Sequence, residues 1–305
     1  MARQQLMGTW GTGLYGGDFA ADLRTTARAV LRLPLDADRL VQILAETEPG
    51  AARNPEDEDY TTFWLVVADQ FARHGLKSAQ VVETALRIIA SGQDLDVRRR
   101  LGQSAAGLKK RSVVLAELND RIVAAPSGVA RKVLREPQKF VMNVGDIFSY
   151  PTCGGQCRNP YVLNLDRLKI YGQSGGQVWR RDGWGAVVIV ARGLTFGYLA
   201  WYRPLVLGQA SETQVDMASL RTAQWHLEPP GTCSQTHFGR IGLTRIGTTA
   251  LDETKLLAEF GALAPGDAQA IADISIANSL NVRSRRPGRS VQREQRAVRI
   301  GDLGD

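Results

Sequence analysis

Trp184-Gly-Ala-Val-Val-Ile-Val-Ala-Arg-Gly-Leu-Thr-Phe-Gly-Tyr-Leu-Ala-Trp-Tyr202 is the stretch whose reading decides the fold. It is rich in β-branched and aromatic residues and broken by Gly, which is the composition of strands. Arg192-Gly193-Leu194 reads as a tight hairpin turn between strands near 184–192 and 195–203. Upstream lie Phe140-Val-Met-Asn-Val-Gly-Asp-Ile-Phe-Ser-Tyr150 and then Pro151. Further strands are expected near 140–149, 160–166, 176–180 and 240–246. Short strands at this spacing predict a small antiparallel β-barrel or a bent sheet.

The chain before this stretch reads as helix. In residues 19–33, Phe19, Leu23, Ala27, Val30 and Leu31 share one helical face, and Pro34 ends the run. A second helix spans 36–47, with Leu40, Ile43 and Leu44 inward. Residues 49–59 read as an acidic loop. Helices follow at 60–74 (Phe63, Trp64, Val67, Phe71), 77–91 (Val81, Ala85, Ile88) and 108–125 (Leu115, Leu118, Ile122), the second closed by Gly92. The Gly-rich opening around Gly11 and Gly13 lacks the strand before it and the Lys-Ser/Thr after it that a phosphate loop needs. It reads as a turn, with Asp18 capping the first helix.

The fold class is therefore α+β: an N-terminal α-helical bundle at 1–125, a linker at 126–139, and a β-rich domain at 140–250. C-terminal helices at 251–282 and an Arg-rich tail at 283–305 complete it. The helices read at 252–260 and 265–280.

Charge is unevenly spread. Residues 283–299 carry seven Arg and one Glu, which is +6 of the chain's net +7. The rest is close to neutral, so a general nucleic-acid-binding body, which needs a basic face of its own, is disfavoured. Three Cys in 305 residues do not make a disulfide framework. Apolar runs such as Ala186–Ala191 fall far short of a membrane span, and the N-terminus has no apolar signal segment. The expectation is a cytoplasmic protein with no membrane partner.

Two constellations carry possible chemistry. Cys153-Gly-Gly-Gln-Cys157 and Cys233-Ser-Gln-Thr-His237 place four zinc-type ligands in two short loops, so Cys153, Cys157, Cys233 and His237 are candidate ligands of a structural zinc. The same thiols can be read as nucleophiles, Cys157 or Cys153 with His237 or His226 as base, though no catalytic motif surrounds them. The second constellation is aromatic. Trp179, Trp184, Phe196, Tyr198, Trp201 and Tyr202 fall in the sheet, and period-two alternation sends Tyr202 and Trp201 to opposite faces. Trp184, Tyr198, Trp201 and Tyr202, with Arg285 and Arg286 of the tail, are the candidate partner-binding residues, since Trp, Tyr and Arg dominate interface energetics. The tail can also contact nucleic-acid phosphates.

Gly8-Thr-Trp-Gly-Thr-Gly-Leu14, Asp22, Asn54-Pro-Glu-Asp-Glu-Asp59, Phe63-Trp64, Ala68, Ile88-Ile-Ala-Ser-Gly-Gln-Asp-Leu95 and Lys109-Lys-Arg-Ser-Val-Val-Leu115 together resemble a family of bacterial proteins that open with Trp-Gly-Thr-Gly (DUF4259-like). Val144-Gly-Asp-Ile-Phe-Ser-Tyr-Pro151 resembles the opening of the Imm26-like β domain found among immunity proteins of polymorphic toxin systems. Here the Pro is followed by a Gly-Gly turn flanked by two Cys. The resemblance implies a bacterial accessory protein that binds and neutralises a toxin, and it implies no catalytic residue. The expected function is non-enzymatic occlusion of a protein partner. The alternatives are a zinc-stabilised nucleic-acid-binding or regulatory protein and a Cys-dependent enzyme.

Overall fold

A computed structural model describes residues 11–124, 131–158, 180–266 and 297–304. The chain divides into two compact units, Met1–Glu136 and Pro137–Asp305.

The first unit is helical: α1 Asp18–Val30, α2 Ala37–Thr47, α3 Pro49–Arg53, α4 Tyr60–Arg73, α5 Ala79–Ser91, α6 Gln93–Arg100 and α7 Ala105–Val123. Helix α4 is its axis. The run Phe63–Ala68 is apolar on every side, and such a helix must be surrounded. It packs against α1, α3, α5 and α7. Phe63, Trp64 and Phe71 are buried, and burying each such side chain contributes about 1.5–3 kcal/mol. Two expectations change. Residues 49–53 form a short helix inside the acidic stretch, with Pro49 at its start where a missing N–H costs nothing. Asp18 is the first helical residue rather than the cap, which is Gly17. Helix α6 was hidden from the sequence by its charge.

Two carboxylates are buried in this unit, and each is fully engaged. Asp69 on α4 accepts from Arg73 Nε at 2.6 Å, from Arg121 on α7 and from the Tyr15 hydroxyl. Asp94 on α6 takes Arg111 Nε at 2.8 Å and Arg111 Nη2 at 3.0 Å. Arg111 Nη1 donates onward to the Gly13 carbonyl at 2.9 Å, and Arg98 Nη1 to the Gly11 carbonyl at 3.5 Å. The Gly-rich opening thus turns carbonyls toward arginines, which is the wrong polarity for cradling a phosphate.

The second unit is built on six antiparallel strands in the order β5-β1-β2-β3-β4-β6. They are β1 Asp146–Thr152, β2 Gly183–Thr195, β3 Leu199–Leu207, β4 Trp225–Leu227, β5 Thr244–Thr248 and β6 Ala297–Val298. Helices α8 Met217–Thr222, α9 Gln235–Ile241, α10 Glu253–Phe260 and α11 Ile300–Leu303 accompany them. The α+β class stands, and the sheet is open, with β5 and β6 as its edges among the described residues. Expected strands at 160–166 and 176–180 and the helix at 265–280 lie outside the described residues, apart from the ends 180 and 265–266. Among the described residues no helix is long and apolar enough to cross a membrane.

Both faces of the sheet are covered. Ile147, Val188 and Leu205 pack with Leu220 of α8, Leu256 of α10 and Ile300 of α11. Phe148, Tyr150, Val187 and Tyr202 pack with Met142, Cys233 and Ile241. This two-sided burial is why Ala186–Ala191 reads as a continuous apolar run instead of an alternation. The hairpin turn is not at Arg192-Gly193-Leu194. Strand β2 runs through those residues to Thr195, because Gly193 lies opposite Trp201 and gives its indole room: a Cβ there would come within 2.6 Å of the ring. The register slips between Ile189 and Ala191, a bulge that sets Arg192 opposite Tyr202.

The Gly145-Asp146 pair opens β1 for structural reasons. Gly145 has φ +84, and a Cβ there would meet the Thr249 carbonyl at 2.4 Å. Asp146, nearly buried, accepts from the Asn143 N–H at 2.7 Å and pairs with Arg245 of β5 at 2.9 Å. The strand therefore starts at Asp146, and residues 140–145, expected as strand, instead cross over the neighbouring hairpin.

Candidate functional site

The end of the β2–β3 hairpin is the candidate site. Its turn is Thr195-Phe196-Gly197-Tyr198, closed by a hydrogen bond from the Tyr198 N–H to the Thr195 carbonyl at 3.0 Å. Phe196 has φ 49 and Gly197 φ 72. Both central residues are left-handed, the turn that suits the twist of a hairpin and that Asn-Gly or Gly-Gly ordinarily supplies. Phe196 is the one non-Gly residue with positive φ among the described residues. An L-residue with a bulky side chain costs roughly 1–2 kcal/mol in that region.

A strap formed by residues 138–145 fastens this end of the hairpin. The Gln138 N–H donates to the Tyr198 carbonyl at 2.9 Å, and Gln138 Oε1 accepts from the Ala200 N–H at 3.0 Å. The Val141 N–H donates to the Tyr202 hydroxyl at 2.7 Å. Arg192 Nη1 donates to the Met142 carbonyl at 2.8 Å and to Asn143 Oδ1 at 2.7 Å. Its guanidinium lies 4.4 Å from the centre of the Phe140 ring, which meets Tyr202 edge-on. Burial raises the Tyr202 phenol, and the Val141 N–H works against that shift. Phe140 keeps 37% of its surface exposed, and Leu194, Phe196 and Tyr198 are half-buried. The result is an aromatic knob at this end of the hairpin, with Arg192 stacked on Phe140 at its base.

The sequence-predicted contact residues scatter. Tyr198 is part of the knob. Trp201 and Tyr202 belong to the core, at 6% and 0% exposure, because the sheet has no bare face on which to present them. Trp184 sits at the far end of β2, half-buried, with the Arg181 guanidinium 5.0 Å from its ring. Arg285, Arg286 and Trp179 lie outside the described residues. Phe140 and Arg192 were not singled out. They are brought together by the strap and by the bulge, neither of which has a periodic signature. Phe196-Gly197 was the readable signal, since φ-positive turns favour Gly at the second centre.

Of the predicted Cys and His residues, Cys157 and Cys233 come together. Cys153-Gly154-Gly155-Gln156 is a tight turn, with main-chain bonds of 2.9 and 3.2 Å between its ends, and Asp182 accepts the Gly154 N–H at 2.6 Å. Cys157 packs partly buried against the cluster that contains Cys233. Burial, and secondarily the neighbouring Cys157, pushes the Cys233 thiol up to about 12. His237 lies in the first turn of α9, and burial followed by Arg240 lowers its pKa. Among the described residues no three of His, Cys, Asp and Glu gather as a metal-holding group. A thiol held this far above neutrality is a poor nucleophile, which concerns Cys233 and not the Cys153 and Cys157 of the thiol reading.

No protein-family model, curated protein or solved structure matches this chain.

Proposed function

We propose that this protein is a non-enzymatic binding protein of the immunity type, which acts by occluding a protein partner with the knob at the end of the β2–β3 hairpin. The observation that carries this reading is Phe196. A half-exposed aromatic side chain occupies a left-handed position that costs the fold stability. Backbone strain of this kind collects at working surfaces. Around it, Phe140, Tyr198 and Arg192 are the residue types that dominate interface energetics. The strap holds them before any partner arrives, which lowers the ordering cost of association. The likeness of Val144-Gly-Asp-Ile-Phe-Ser-Tyr-Pro151 to immunity-type β domains supports a toxin as the occluded partner.

The test is site-specific photocrosslinking in the native host. A benzophenone amino acid at position 196 should give one dominant adduct with a second protein, and the same probe at exposed Glu212 should not. The captured protein, once purified, should bind wild type about tenfold or more tightly than it binds Phe196→Asn. Identical adduct patterns from the two positions would sink the reading.

A further inference from the structure

On the opposite side of the sheet from Tyr202, the β unit carries a solvent-open pocket of about 370 Å³. Pockets of roughly 300–1,000 Å³ are the usual size for small-molecule sites. Ile147, Met217, Leu220 and Ile300 form its apolar wall, and Thr248 and the last turn of α8 its polar side. The polar side has a definite character. The last carbonyls of a helix have no partner within the helix. Arg221 is in that turn, and the N–H that would take its carbonyl belongs to Trp225, which has already joined β4. Among the described residues the Arg221 carbonyl accepts no main-chain hydrogen bond outside the helix. Gly301 stands across from it: a Cβ on Gly301 would lie 3.5 Å from that oxygen and meet nothing closer. The pocket thus joins an apolar wall to a carbonyl that no main-chain donor among the described residues takes up, leaving it to solvent or a ligand.

We propose that this pocket is a binding site for a compact, neutral, apolar molecule that carries one hydroxyl group, the hydroxyl donating to the Arg221 carbonyl and the body lying against Met217, Leu220 and Ile300. A charged ammonium is disfavoured because Arg221 brings its own cation to the same turn. The site stands apart from the hairpin knob and does not depend on its function.

The full-length chain, titrated with benzyl alcohol and separately with toluene while the Met217 methyl resonance is followed, tests the proposal. Benzyl alcohol should shift that resonance saturably, with toluene about tenfold weaker, the effect of one hydrogen bond near the upper end of its net range. Gly301→Leu projects a side chain into the pocket without a main-chain clash and should abolish both shifts while the protein stays folded. Gly301→Ala should weaken them and serves if the larger variant does not fold. The absence of a saturable shift overturns the proposal, as does equal affinity for the two probes or undiminished binding in both Gly301 variants.

Discussion

Arg111 is fully buried and grips Asp94 through two N–H···O bonds of 2.8 and 3.0 Å, while its third nitrogen holds the Gly13 carbonyl. One side chain on α7 thereby anchors α6 and the Gly-rich opening of the chain. Removing one partner of a buried pair leaves the other as an uncompensated charge, which costs about 3–5 kcal/mol. Arg111→Met should lose an amount of that order in urea unfolding. The double variant Arg111→Met with Asp94→Leu should recover part of it, since no charge is then stranded. A loss below about 1 kcal/mol in the single variant would show that Arg98, whose Nε lies 3.4 Å from Asp94 Oδ2, satisfies the carboxylate alone.

Phe196 makes the opposite prediction. Asn tolerates the left-handed region and suits this turn, so Phe196→Asn should leave the fold unharmed or stabilise it by about 0.5–1 kcal/mol. Thermal unfolding measures this directly. A variant that is more stable yet weaker in partner binding separates a functional residue from a structural one. Marked destabilisation would assign the Phe196 ring to the core.

The acidic stretch before α4 gives a pH dependence. Burial first, then the charges of Asp57 and Glu58, raise the Asp59 carboxyl from 3.8 to about 6, and burial raises Glu48 and Asp22 in the same direction. Each of these groups holds its proton more tightly in the folded state. The stability that Asp59 contributes is therefore complete below about pH 4 and is lost as pH rises through about 6, and Glu48 and Asp22 act in the same direction. Asp59→Asn should stabilise the helical unit at pH 7.5 by about 1 kcal/mol, a figure discounted for the partial exposure of the group. The gain should vanish at pH 4. A gain that is equal at both pH values would show that charge is not its source.

Cys233 should be chemically silent. With its thiol raised to about 12 and its side chain in the apolar cluster, it offers almost no thiolate at neutral pH. Iodoacetamide at pH 7.5, followed by peptide mass analysis, should modify Cys233 only as fast as the protein unfolds. Labelling of Cys233 well ahead of global unfolding would contradict the buried placement. Zinc measured in the purified protein at one equivalent, and lost in Cys153→Ser, would require the two Cys loops to close into a set they do not form here.

Much of the architecture was legible because it depends on local pattern. The helical period of Leu23, Ala27 and Val30 marked α1, Asp252 marked the start of α10, and the apolar run at Ala186–Ala191 marked the central strand. Helix α6 was not legible, since Gln93–Arg100 has almost no apolar face and is held by its Asp94 contacts. The site was legible only in part. Tyr198 was read from strand composition, but the burial of Trp201 and Tyr202 depends on what covers each face of the sheet, and no local pattern states that.

The sequence by itself determined that a helical unit precedes an antiparallel sheet, because hydrophobic period and turn chemistry are properties of neighbouring residues. Only the tertiary structure decided which side chains share a surface. Uninterrupted alternation along β2 would put Arg192 on the same face as Val188 and Val190. The slip between Ile189 and Ala191 turns it instead to the face of Tyr202, where Phe140 and the strap meet it. One extra residue in a ladder reverses every side chain beyond it. That reversal is a property of the pairing between two strands, and it places the arginine at the base of the aromatic knob.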